Sequence, residues 1–211
     1  MANGNYAETL RQPGFLAFFN TQFLGAFNDN FLKMVVSFVA INLAAKNSDG
    51  YVELIAFLFI LPSALFSGYA GHLADVYSKR AILIAVKIFE IAIMVFACGA
   101  FIAANIQMML AAVFLMGLHA AFFSPAKYGI LPEMLPDKDL SRGNGLLEMS
   151  TFMAIILGTS LGGAIFSVWK HNLPLIGLLM IAIAAVGMYT SLGIAQVPPS
   201  GAAKLLRLNP F

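Results

Sequence analysis

The sequence predicts an all-α membrane protein of six transmembrane helices. Three observations carry that reading: 60% of the 211 residues are hydrophobic, only 10% are charged, and the apolar residues gather into six long runs parted by short polar stretches. A water-soluble domain has about a quarter of its residues charged. Here the mean hydropathy is +0.85, and each run approaches or exceeds the roughly 20 residues a helix needs to cross a bilayer.

Residues 1–13 form a polar arm. Pro13 suits the first turn of a helix predicted over 15–45, since a first-turn residue has no hydrogen bond to lose. That span exceeds what a bilayer requires, so it must tilt, kink or protrude. A polar turn at 46–50 leads to a second span, 51–69, which Pro62 should bend. Residues 71–80 read as a short polar loop and 81–104 as the third span. Asn105, Ile106 and Gln107 then leave room only for a hairpin. The fourth span, 108–123, continues into 124–133, and a polar loop at 136–144 carries Asp137, Lys138, Asp139 and Arg142. A fifth span at 145–169, a turn with Lys170, His171 and Asn172, and a sixth span at 173–195 complete the bundle before Pro198 and Pro199. The chain therefore divides into an arm at 1–13, a bundle at 14–196 and a tail at 197–211. By eye, no sequence repeat relates the first three spans to the last three.

Sidedness follows from the basic residues. Arg11, Lys79, Arg80, Lys138, Arg142, Lys204 and Arg207 fall on one side with Lys127 close by, against Lys46 and Lys170 on the other. The positive-inside rule then places both termini in the cytoplasm.

Composition and motifs exclude several functions. A net charge of +2 gives no footprint for nucleic acid. The single cysteine, Cys98, lies inside an apolar run, and His72, His119 and His171 are scattered, so neither a disulfide framework nor a metal or cofactor site is expected. The first apolar run is too long for a cleavable leader and should remain in the mature protein. His72 and Asp75 stand three apart, not at acyltransferase spacing, and nucleophile and phosphate-loop signatures are lacking, so an enzyme is not expected.

Charges inside the spans mark the candidate sites. Asp29 and Lys33 stand one turn apart within Asn28, Asp29, Asn30, Phe31, Leu32, Lys33, so they share a helix face and can partly neutralise each other. A lone charge at the bilayer centre costs about 2.5 to 3.5 kcal/mol on insertion scales, so this face should line a cavity or pack against partners. Two readings are open: a polar substrate site at Asn28, Asp29, Asn30 and Lys33, or a buried structural pair. Lys87 with Glu90 in the third span, Lys127 with Tyr128 in the fourth and Glu148 in the fifth suggest an inner polar network, either a gate of ion pairs or a static cluster. His119 reads as an interhelical hydrogen-bond donor. Gly158, Gly162 and Gly163 form a small-residue seam, and Gly68 with Gly71 a shorter one. These are packing surfaces, with rocking between the second and fifth spans left open.

Two stretches carry a resemblance. Gly71, Ala74, Asp75, Lys79 and Arg80 are similar to the pattern G-x-L-A-D-x-x-G-R-K between the second and third helices of the major facilitator superfamily. Val76 replaces a usual basic residue and Ser78 the second glycine. The resemblance implies a conformational latch of Gly71, Asp75, Lys79 and Arg80, in which the aspartate faces a helix N-terminus. Gln22-Phe23-Leu24-Gly25-Ala26-Phe27-Asn28-Asp29-Asn30 and Phe122-Phe123-Ser124-Pro125-Ala126-Lys127-Tyr128-Gly129-Ile130-Leu131-Pro132-Glu133 resemble the bacterial lysophospholipid transporter branch.

That branch implies flipping of a lysophospholipid to the inner leaflet of the bacterial inner membrane by alternating access. Asp29 would meet the headgroup amine and Lys33 its phosphate. Superfamily members have twelve helices in two halves, so the chain reads as an N-terminal half with 197–211 as the start of the cytoplasmic linker. Its implied partners are membrane lipids, a missing C-terminal half or a second copy, and a fused or associated acyltransferase or acyl-carrier-protein synthetase. The alternatives are a transporter of another solute, such as a drug or organic anion, and a non-transporting subunit or anchor of a lipid-remodelling enzyme.

Overall fold

The computed structural model describes residues 6–43 and 49–196. Seven helices run through them: α1 (Tyr6–Leu10), α2 (Phe15–Leu43), α3 (Asp49–Val76), α4 (Lys79–Ile102), α5 (Ile106–Met134), α6 (Asp137–Trp169) and α7 (Leu173–Leu192). From α2 to α7, each is long and apolar enough to span a membrane, which gives the six spans expected. Residues 44–46, the polar turn up to 48, Lys204, Arg207 and the tail at 197–211 lie outside the described residues.

Two expected loops are mostly helix. The polar stretch at 71–80 continues α3 to Val76, so His72 is helical and only Tyr77 and Ser78 connect to α4. Leu73 and Ala74 keep the helix going with Ala74 buried, and intrahelical hydrogen bonds satisfy backbone near the membrane better than an open turn does. Similarly, α6 starts at Asp137 instead of 145. Pro136 precedes its first turn in an extended conformation, while Asp137 and Asp139 complement the positive end of the helix. Elsewhere side chains or special backbone close the turns. In the hairpin between α4 and α5, Ala104 adopts φ 48° and the Asn105 side chain accepts from Met108 N at 3.1 Å.

Packing reveals an order that the residues hide. α2 packs on α6 and α3 on α5, α4 packs on both α5 and α7, and α2 also packs on α7. Exchanging α2 with α5, α3 with α6 and α4 with α7 maps this set of contacts onto itself. Because exchanged helices are three crossings apart, they run in opposite directions, so the bundle is an inverted pair of three-helix units.

Glycines make the two equivalent crossings close. A Cβ on Gly158 of α6 would lie 2.6 Å from the Phe27 carbonyl of α2, and one on Gly117 of α5 would lie 2.2 Å from the Phe59 carbonyl of α3. The seam with Gly158 and Gly162 thus packs on the first span, not on the second. Among the described residues, nothing lies within 4 Å of the Cβ positions of Gly68 and Gly71, so the shorter seam has no partner there. Gly14, at φ +74°, leaves no room for a Cβ beside Ala195, which brings the start of the first span and the end of the last to one side.

The interior has two apolar cores with a polar layer between them. One core contains Phe31, Val35, Ile93, Met94, Val113, Met116 and Met180. The other, near the chain ends, contains Phe15, Phe18, Leu83, Ile130, Leu131 and Leu147. Between them on α2, α4, α5 and α6 lie the buried Gln22, Asn28, Lys87, Glu90, His119, Lys127 and Ser150.

Candidate functional site

A cavity of about 150 Å³ opens into this polar layer between α2, α5 and α6. Gln22, Gly25, Ala26 and Asp29 line it from α2, His119, Ala120, Phe123, Ser124 and Lys127 from α5, and Thr151 from α6. The spacing explains the lining. Residues 22, 25 and 29 recur at three and four, and 119, 123 and 127 at four, so each set forms one helix stripe. The volume corresponds to roughly five waters, enough for a small polar group and too little for a long acyl chain.

Two opposite charges meet this space without meeting each other. Asp29 has a side chain 14% exposed, and its Oδ1 makes no hydrogen bond. Lys127 Nζ donates to Thr151 Oγ1 at 3.0 Å and lies 5.0 Å from the Tyr128 ring centre. Among the described residues it makes no ion pair within 4 Å. Gln22 fixes the floor: its Nε2 donates to Ser150 Oγ and to the Leu147 carbonyl, and its Oε1 accepts from Thr151 Oγ1 at 3.3 Å.

The other residues named from the sequence are placed differently. Lys33 does not close a pair with Asp29; its ammonium lies 3.9 Å from the Phe59 ring centre, on α3. Asn28 is sealed inside, where its Nδ2 donates to Glu90 Oε1 at 3.1 Å and to the Met180 carbonyl at 3.3 Å. Asn30 donates back to the Ala26 carbonyl at 2.7 Å and lies against Gly158. The supposed inner network splits in two. Lys87 and Glu90 form a fully buried ion pair, with Glu90 Oε2 3.3 Å from His119 Nε2. Tyr128 donates to Glu148 Oε1 at 2.6 Å on an exposed surface. Sequence reasoning passed over Gln22, His119 and Thr151 as site residues, although the stripes on α2 and α5 would have found the first two.

Two of the expected latch residues, Lys79 and Arg80, bind the ends of several spans together. Lys79 reaches Glu133 at 2.5 Å, its stem lying against Gly129. A side chain at 129 would meet that stem at 2.7 Å, which accounts for the glycine within the second resembling stretch. Arg80 donates to the Ile194 and Leu192 carbonyls at 2.8 and 3.0 Å, capping the end of α7. Asp75 lies on the exposed side of the last turn of α3, and Gly71 has open space around it.

Six spans arranged as inverted three-helix units, with an acid and an amine lining a mid-depth cavity, define a membrane-embedded helical bundle of the architecture that transporters use. Comparison with known proteins narrows this. The profile of the Major Facilitator Superfamily matches residues 18–207, and the chain belongs to that superfamily. It is homologous to proteins named lysophospholipid transporter LplT. Identity is 30% over 206 residues to that of Enterobacter sp. (strain 638), covering 96% of this chain and 48% of the relative. With Klebsiella pneumoniae (strain 342) it is 32% over 210 residues, with the same coverage, and with Escherichia coli (strain SE11) 32% over 164 residues, covering 74% and 38%. The chain thus spans about half the length of the curated relatives it matches. Among solved structures, the peptide transporter POT in complex with sulfate gives a TM-score of 0.65 at 18% identity, covering 86% of this chain and 37% of that one. At that identity the likeness shows the fold alone, here one half of a major facilitator fold. The spans and the bacterial relatives make this a multi-pass protein of a bacterial inner membrane.

Proposed function

We propose that this chain is the N-terminal half of a lysophospholipid transporter and that the cavity between α2, α5 and α6 receives the lipid headgroup. One observation carries the reading: a partly buried carboxylate and a buried ammonium, Asp29 and Lys127, line the same small cavity without pairing with each other. Leaving both in a low-dielectric layer is unfavourable until a ligand supplies the opposite charges. A zwitterionic phosphoethanolamine head supplies both, with its ammonium at Asp29 and its phosphate at Lys127. Lys127 therefore takes the role that the sequence suggested for Lys33. The acyl chain lies outside the cavity along apolar helix surface. Asn28 and Asn30 support the site by fixing α2 against Glu90 and α6.

The reading brings its partners with it. Superfamily architecture and the coverage of the relatives favour a second six-helix half, or a second copy, completing the site over the exposed faces of α3 and α6. The basic residues around Lys79, Arg80, Lys138 and Arg142 favour cytoplasmic termini. Gly71, Asp75, Lys79 and Arg80 hold one conformation as the latch. An acyltransferase or acyl-carrier-protein synthetase that consumes the flipped lipid, fused or associated, completes the assignment. Uptake of labelled lysophosphatidylethanolamine by spheroplasts tests it. Asp29→Ala abolishes uptake at normal membrane abundance, and Asp75→Asn slows it. Wild-type uptake by the Asp29 variant removes the cavity from the transport path.

A further inference from the structure

Lys127 keeps its ammonium out of an ion pair although a carboxylate stands one helical turn from its hydrogen-bond partner. Its Nζ donates to Thr151 Oγ1 at 3.0 Å, and Glu148 precedes Thr151 by three residues on α6. The two therefore share a helix face, with Cβ atoms about 5 to 6 Å apart. Glu148 acts on Lys127 through space. Yet the pair does not close to within 4 Å.

Tyr128 accounts for the gap. Its hydroxyl donates to Glu148 Oε1 at 2.6 Å, the length of a charge-assisted bond, and draws the carboxylate to the open side of the bundle, where the tyrosine is 47% exposed. Neighbours in sequence point about 100° apart around a helix, so Lys127 faces the cavity and Tyr128 its rim. Gln22 completes the arrangement from α2. Its Oε1 accepts from Thr151 Oγ1 at 3.3 Å while its Nε2 is committed to Ser150 Oγ and the Leu147 carbonyl, so the group behind Thr151 is a fixed, neutral amide. Farther along α5 and α6, Glu133 is taken by Lys79 and Asp139 by Arg142. Lys127 thus rests on a hydroxyl, a weaker partner than a carboxylate or a phosphate oxygen.

We propose that Tyr128 is a positioning residue for the phosphate end of the cargo: by holding Glu148 off Lys127 it leaves the ammonium open to an anionic phosphodiester. Glu148, once let go, is the competitor that closes the site. A lysine paired with a carboxylate binds phosphate only by breaking that pair, whereas one bonded to a neutral hydroxyl gives up less. Phenylalanine at 128 keeps the ring, which lies 5.0 Å from Lys127 Nζ, and removes only the O–H. This inference rests on the lysolipid reading above and adds the group that keeps its phosphate site open.

Equilibrium binding of radiolabelled lysophosphatidylethanolamine to the full natural chain in detergent reads the effect as Kd. Tyr128→Phe weakens binding about tenfold, the difference between a carboxylate-paired and a hydroxyl-bonded lysine. Glu148→Gln alone binds at least as tightly as wild type, because it removes the competitor. In the Glu148→Gln background Tyr128→Phe no longer matters, and Kd stays within about twofold of Glu148→Gln alone. A tyrosine that serves packing loses the same affinity in both backgrounds, so an unrestored loss overturns the proposal. Wild-type affinity in Tyr128→Phe, or weakened binding in Glu148→Gln, overturns it as well. Each of these results leaves the headgroup site standing, whereas a wild-type chain that binds no lysolipid overturns the cargo reading and this inference together.

Discussion

Asp29, Lys33 and Lys127 show how far charge in an apolar run can be read. Asp29 and Lys33 announce a shared face because one turn separates them, and a charge at that depth demands a special environment. What their spacing omits is the ring of Phe59, contributed by another helix, which draws Lys33 away from Asp29. Lys127 is hard to assign for the converse reason: its partner Thr151 is on α6 and its cavity exists only when three helices meet. Lys127→Ala should therefore lower lysophosphatidylethanolamine uptake about ten- to hundredfold, the worth of a lost charge-assisted hydrogen bond. Lys33→Ala should stay within about threefold of wild type, because the Phe59 ring, and not the cavity, holds its ammonium. Initial rates in spheroplasts matched for membrane abundance check both. Lys87 belongs to stability. Replacing it with Met strands Glu90 in the polar layer and should cost about 3 to 5 kcal/mol, visible as a lower melting temperature in detergent.

Helices were legible in their number and centres and less so in their ends. Hydropathy located all six spans, but polarity is a poor sign of a loop where a helix simply leaves the apolar layer, as α3 and α6 do at residues 71–76 and 137–144. The glycine seam at Gly158 and Gly162 was visible, yet its partner was not, because a small residue says that something approaches without saying what. Gly158→Leu should separate α6 from the Phe27 backbone and destabilise the bundle by about 1 to 3 kcal/mol or more, whereas Gly68→Ala, with open space, should be nearly neutral. Thermal unfolding of the two variants side by side decides this. At the α4 to α5 hairpin, Ala104→Gly should raise stability by about 1 kcal/mol, since it removes the left-handed penalty at φ 48°.

The bundle as a unit owes its site to the inverted pairing of its halves. Phe27 against Gly158 and Phe59 against Gly117 are equivalent crossings, and two residues beyond Phe27 and Gly117 come Asp29 and His119, which face each other across the middle. No residue identity repeats between these stretches, so the symmetry could not be seen in the letters; it lives in which backbones touch. The same pairing sets the polar layer between two apolar cores and opens it on the side of α2, α5 and α6. The account therefore turns on where a lysolipid headgroup sits. The most direct measurement is photo-crosslinking of the full natural chain with a lysophosphatidylethanolamine carrying a diazirine on its ethanolamine head, followed by peptide mapping. Labels should fall on cavity-lining residues between 22 and 29 and between 119 and 127, and Asp29→Ala should remove them. Labels confined to the outward surfaces of the spans, unchanged in that variant, would contradict the account.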